Sequence, residues 1–99
     1  MPLKIEGSEV PDKMVRSLTS FTGGVFFDAE ALTENDRALL NKAVGNLHTG
    51  DVVRLDGQST DEHALLNGAF RVEKIDLREI HIPNSTRKKL HCAVTFHAT

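Results

Sequence analysis

The side chains in this chain that chemistry could use are five histidines, one cysteine and a run of basic residues late in the sequence. His91 and His97 alternate in phase with Ala93 and Thr95, opposite to Leu90, Cys92, Val94 and Phe96. A period of two marks a half-buried strand. On a strand rising about 3.3 Å per residue, His91 and His97 stand roughly 20 Å apart, too far to share a metal ion. Cys92 falls in the apolar phase, which predicts a buried small side chain rather than a nucleophile. His81 lies between Ile80 and Ile82 and would meet His91 if their strands paired in that register. Such a pair can ligate a metal, but no Cys or His spacing here matches a known site, and no metal or other cofactor is expected. Ser59, Asp61 and His63 have the residue types of a catalytic triad. Their closeness in sequence does not create triad geometry, so they read as loop residues. Gly23-Gly24 lacks the Lys-Ser/Thr of a phosphate loop and reads as a helix stop.

The basic residues are the better candidates. Arg71, Lys74 and Arg78 precede a loop carrying Arg87, Lys88 and Lys89. Six basic and eleven acidic side chains lie in residues 1–62, against six basic and three acidic in residues 63–99. Such asymmetry suits a charged partner, and it equally suits two halves of one domain facing each other. The formal net charge is −2, and neither Trp nor Tyr is present. Nucleic-acid binders usually combine a clearly basic domain with stacking aromatics. The expected partner is therefore another protein, with nucleic acid second. No apolar run approaches a membrane span, and no signal-peptide pattern opens the sequence, so a cytoplasmic protein is expected. One cysteine excludes an internal disulfide framework.

These residues need elements to hold them. Leu3 to Glu6 reads as a short edge strand. Met14, Val15, Leu18 and Phe21 follow helical spacing, which predicts a helix from about Pro11 to Phe21. Val25-Phe26-Phe27 is a strand or an apolar anchor. Thr33 is a good N-cap for a second helix with Leu39, Leu40, Ala43, Val44 and Leu47 on its buried stripe, ending by Gly50. Val52 to Leu55 is a strand. Residues 57–68 form a loop with one helical turn near 61–66. From Phe70 to Ile82 the apolar residues change phase twice, which requires a bulge or turn near Glu73-Lys74 and another near Arg78-Glu79. Pro83 to Lys89 is a polar loop before the last strand. The fold class read from this order is α+β over residues 1–99. Two N-terminal helices would pack on a C-terminal, strongly bent antiparallel sheet or half-barrel of three to four strands.

Two resemblances follow from these stretches. Gly50-Asp51-Val52-Val53-Arg54-Leu55, followed by Gly68-Ala69-Phe70-Arg71-Val72-Glu73-Lys74-Ile75, resembles small-barrel head-to-tail connector proteins of tailed phages over about a quarter of the chain. The order of one strand, two helices and three strands resembles the ribosome-dependent endoribonuclease toxins in topology alone, and none of their catalytic residues can be placed here. The function expected is a small non-enzymatic protein-binding module: an inhibitor, adaptor or assembly subunit, with phage origin one option. The alternatives are a nucleic-acid binder using residues 71–89 and a small hydrolase or nuclease using His81 or His91.

Overall fold

The computed structural model describes residues 3–56 and 68–99. Strand β1 (Leu3–Ile5) turns through Glu6 and Gly7, both at positive φ, into β2 (Ser8–Val10). Paired positive φ angles in a two-residue loop match the twist of a hairpin, and glycine takes one of them without strain. One turn of 3-10 helix (Asp12–Met14) leads to β3 (Val15–Phe21), and a second hairpin gives β4 (Gly24–Ala31). Helix α1 (Glu34–Val44) follows, then β5 (Val52–Asp56), β6 (Gly68–His81) and β7 (Lys88–Ala98). All pairings are antiparallel, in one seven-strand sheet of order β2-β1-β5-β6-β7-β4-β3.

The expected fold class is thus corrected. Among the described residues there is one helix, not two, and seven strands, not three or four. The error lies in Pro11 to Phe21. A bulge between Val15 and Ser17 inserts a residue into β3, so Val15 opposite Ala29 and Leu18 opposite Phe27 fall on one face three residues apart. Both pack against the core. A bulged strand has imitated helical spacing. Val15 and Thr19 are β-branched and favour the strand that forms. Gly23 and Gly24 belong to the hairpin rather than to a helix end. Gly23 has φ +87°, and a Cβ on Gly24 would stand 2.2 Å from the Phe96 carbonyl oxygen. The first strand is also not at the edge, because β2 lies outside it. The expected turn at 61–66, with Ser59, Asp61 and His63, lies outside the described residues.

The edge strands β2 and β3 are consecutive in sequence, joined only by Pro11 to Met14. From Val10 to Val15 the chain can span at most about 18 Å. A flat seven-strand sheet would separate its edges by about 29 Å, at about 4.8 Å per strand. The sheet must therefore curl into an incomplete barrel. Its inner face carries Ile5, Val25, Phe27, Leu55, Val72, Cys92, Val94 and Phe96, all buried. Leu40, Ala43 and Val44 of α1 cover it. Thr33 caps the helix, its Oγ1 accepting from the Asp36 amide at 3.1 Å, and Asp36 in turn meets Lys13 Nζ at 3.1 Å. The helix stops at Gly45, earlier than expected.

The β6–β7 ribbon is the long feature of the molecule, whose greatest extent is 41 Å. One of its two expected phase changes occurs: the register shifts between Val72 and Lys74, placing Ile75 opposite Val94 and Leu77 opposite Cys92. Near Arg78-Glu79 the register stays regular. Ile80 consequently points to the outer face, opposite Lys89.

Candidate functional site

Alternation along β7 sends Lys89, His91, Ala93, Thr95 and His97 to the sheet face away from α1. Glu30, Asp28 and Phe26 of β4 lie beside His91, Ala93 and Thr95 on one side. Arg78, Asp76 and Lys74 of β6 lie beside the same three on the other. The result is a layer of charges on an apolar sheet. His91 Nε2 lies 2.8 Å from Asp28 Oδ1, and His91 Nδ1 is buried without a partner. Arg78 grips Asp76 with two donors, Nε to Oδ1 at 3.0 Å and Nη2 to Oδ2. Lys89 Nζ donates to Glu30 Oε2 at 3.1 Å, and Arg16 reaches the same oxygen at 3.5 Å. His97 Nε2 meets Glu73 Oε2 at 2.6 Å and stacks edge-on with Phe21.

The electrostatics follow from these contacts. The Arg78 guanidinium, chiefly through its hydrogen bonds, holds the Asp76 carboxyl below the usual carboxylate range. The same bonds raise Arg78 further. Burial pushes the Cys92 thiol up to about 12, with the nearby charges of Asp28 and Asp76 adding to it. Cys92 is thus a thiol throughout the physiological range and not a nucleophile.

The six basic candidates do not form one patch. Arg71, Lys74, Arg78 and Lys89 share the outer face, but Asp76 and Glu30 neutralise Arg78 and Lys89. Arg87 and Lys88 sit at the far end of the ribbon, where no carboxylate of the described residues pairs with them. There they line a hollow of about 290 Å³ with Leu32, Glu34, Arg37 and Thr86. A second groove, about 410 Å³, shares Glu34 and Arg37 and continues along Ala38, Asn41, Leu77, Arg78, Glu79 and Leu90. The ion pair of Arg37 with Glu79, at 2.8 Å, joins the helix to the ribbon here.

His81 and His91 do not meet. His81 lies opposite Lys88 and His91 opposite Arg78. Among the described residues no group of three His, Cys, Asp or Glu side chains is placed to hold a metal ion, and no helix is long and apolar enough to cross a membrane. The contribution of α1 to the basic end, through Arg37, went unread in the sequence. Its signal was available, since Arg37 lies off the buried stripe of a capped helix.

Comparisons of this chain with protein-family models, with curated proteins and with solved structures give no match. The topological resemblance to the endoribonuclease toxins also fails on its own terms, because the first of its two helices is β3. The resemblance to phage connector proteins carries no further argument.

Proposed function

We propose that this chain is a non-enzymatic protein-binding module that engages another protein with the far end of the β6–β7 ribbon. The observation that carries the reading is the pair Arg87 and Lys88. They stand beyond the last paired residue of β4, free of carboxylate partners among the described residues, at the rim of a hollow that also holds Glu34 and the Glu79-paired Arg37. Leu32, 52% exposed, lies beside them. Cations at a rim steer an acidic partner and set its orientation, and an exposed apolar side chain between them supplies area to bury. The partner this surface suits presents carboxylates around an apolar side chain. Inhibitor, adaptor and assembly subunit are all compatible with such a surface.

The test is the double variant Arg87→Ala/Lys88→Ala. Capture of the partner by tagged protein, followed by its identification and a binding titration, should show at least a tenfold loss in the variant. Nucleic-acid binding should be negligible near physiological salt for both proteins, since the net charge opposes non-specific attraction. Tight duplex or single-strand binding that weakens steeply with salt, and whose slope flattens in the variant, would replace this reading with the nucleic-acid one.

A further inference from the structure

The ribbon carries a second surface that the basic end does not use. Strand β5 pairs with β6 only from Gly68 to Arg71. The chain before β5 extends that cover by one residue: the Val72 amide donates to the Asp51 carbonyl, and the Val72 carbonyl accepts from the Gly50 amide, both at 2.8 Å. Among the described residues cover then ends, while β6 runs on to His81. The amide of Ile82 donates to the Arg87 carbonyl, toward β7. By alternation, Ile75, Leu77, Glu79 and His81 therefore direct their N–H and C=O groups away from β7. No backbone group of the described residues bonds to them. An unpaired strand edge of this length is a template for another strand.

The free edge, Glu73 to His81, has Leu77 at its midpoint. A second β6 laid antiparallel over the whole of it is thus centred on Leu77. That register places Asp76 of each copy opposite Arg78 of the other, Leu77 opposite Leu77, Ile75 opposite Glu79 and Glu73 opposite His81. Ile75, Leu77 and Glu79, whose N–H and C=O groups point out from the edge, meet one another, as the hydrogen-bond pattern requires. Asp76 and Arg78 fall at the closely spaced cross-strand positions, where opposite charges attract and like charges repel. Sliding the partner by two residues, to centre on Arg78, would set Arg78 against Arg78 and leave part of the edge uncovered. Ile75 and Leu77 are only half-buried within one chain. The groove of about 410 Å³ beside Leu77, Glu79 and α1 offers room for the partner's inner-face side chains.

We infer that this chain forms a two-fold symmetric dimer by pairing the β6 edges of two copies, in the register centred on Leu77. The two sheets then continue into each other, and the basic ends of the two ribbons point in opposite directions. The inference goes beyond the protein-binding reading and does not depend on it, since Arg87 and Lys88 take no part.

The experiment uses charge reversal and mixing. Sedimentation equilibrium of the full chain should give twice the monomer mass. Asp76→Arg alone and Arg78→Asp alone should each give the monomer mass, with circular dichroism unchanged. A one-to-one mixture of the two variants should recover the dimer, because each reversed position then faces an opposite charge. The intramolecular contacts of each variant are the same alone and mixed, so only pairing between chains explains recovery. Amide exchange on the natural chain provides a readout that needs no variant. The amides of Ile75, Leu77, Glu79 and His81 should exchange more slowly as concentration rises. A monomer at every soluble concentration, a mixture that stays monomeric, or concentration-independent exchange at those four amides would overturn the inference.

Discussion

Cys92, Asp76 and Gly24 show how far one position's surroundings decide its chemistry. Cys92 is buried among Leu90, Val94 and α1, and its thiol is pushed up to about 12. It should react slowly with a thiol reagent in the folded protein and rapidly in denaturant. Equal rates would contradict its burial. Asp76 is half-buried, and Arg78 lowers its pKa from the ordinary 3.8. A lowered folded value means that its stabilising pair is fully formed above the ordinary carboxylate value and is lost as the pH falls through the lowered one. An NMR titration of the side-chain carboxyl carbon should place the Asp76 midpoint below that of an unpaired aspartate, and Arg78→Ala should return it to the ordinary value. Gly24 is constrained by approach rather than by φ. A methyl group there would meet the Phe96 carbonyl at 2.2 Å. Gly24→Ala must push β4 and β7 apart, so it should lower the urea midpoint more than Gly23→Ala, whose Cβ would meet open space and whose cost is only the strain of a positive φ.

Strand β7 and helix α1 were legible because nothing interrupts their periods. Leu90, Cys92, Val94 and Phe96 keep period two without a bulge, and all four are buried. Phe96→Ala should cost about 3–5 kcal/mol in urea unfolding, the cost of emptying an aromatic core site. Thr33 was readable as the cap of α1, and Thr33→Ala should cost about 1 kcal/mol. Strand β3 was not legible. Its bulge sets Val15 and Leu18 three apart on one face, and Phe21 happens to extend that spacing although its side chain lies by His97 on the other face. The β1–β2 hairpin was hidden as well, because its turn is Glu6-Gly7 rather than the more telling Asn-Gly or Asp-Gly. On β6 the first phase change was readable because a bulge leaves an apolar residue out of step. The second was misread because Ile80 simply faces outward beside Lys89. Of the basic candidates, position in sequence could not tell the neutralised Arg78 and Lys89 from the unpaired Arg87 and Lys88. That distinction depends on Asp76 and Glu30, and Glu30 is 59 residues from Lys89.

Across the whole molecule, charge asymmetry between the two halves of the sequence is partly spent inside the fold. Arg37 meets Glu79, Lys89 meets Glu30, and His91 meets Asp28, each joining the acidic half to the basic one. These pairs are at least partly exposed, so each contributes little to stability alone. Of the six basic residues in the second half, Arg87 and Lys88 at the ribbon's far end, with Arg71 and Lys74, are left without an ion pair among the described residues. Raising the salt concentration should therefore weaken partner binding more than it lowers the melting temperature, which parallel titrations of both would check.

The strand order β2-β1-β5-β6-β7-β4-β3 has a consequence for synthesis on the ribosome. Everything up to Asp56 supplies two separate pieces, β2-β1-β5 at one side and β4-β3 at the other. Only β6 and β7, which follow them in the chain, lie between them. A nascent chain that has not yet released residues 88–98 holds β4 with one edge open and Val25, Phe27 and Ala29 without their cover. An open strand edge and uncovered apolar side chains favour association between such chains. A chain stalled before Lys88 should stay protease-sensitive while the one released after Ala98 becomes resistant, the last strand acting as the keystone of the vault.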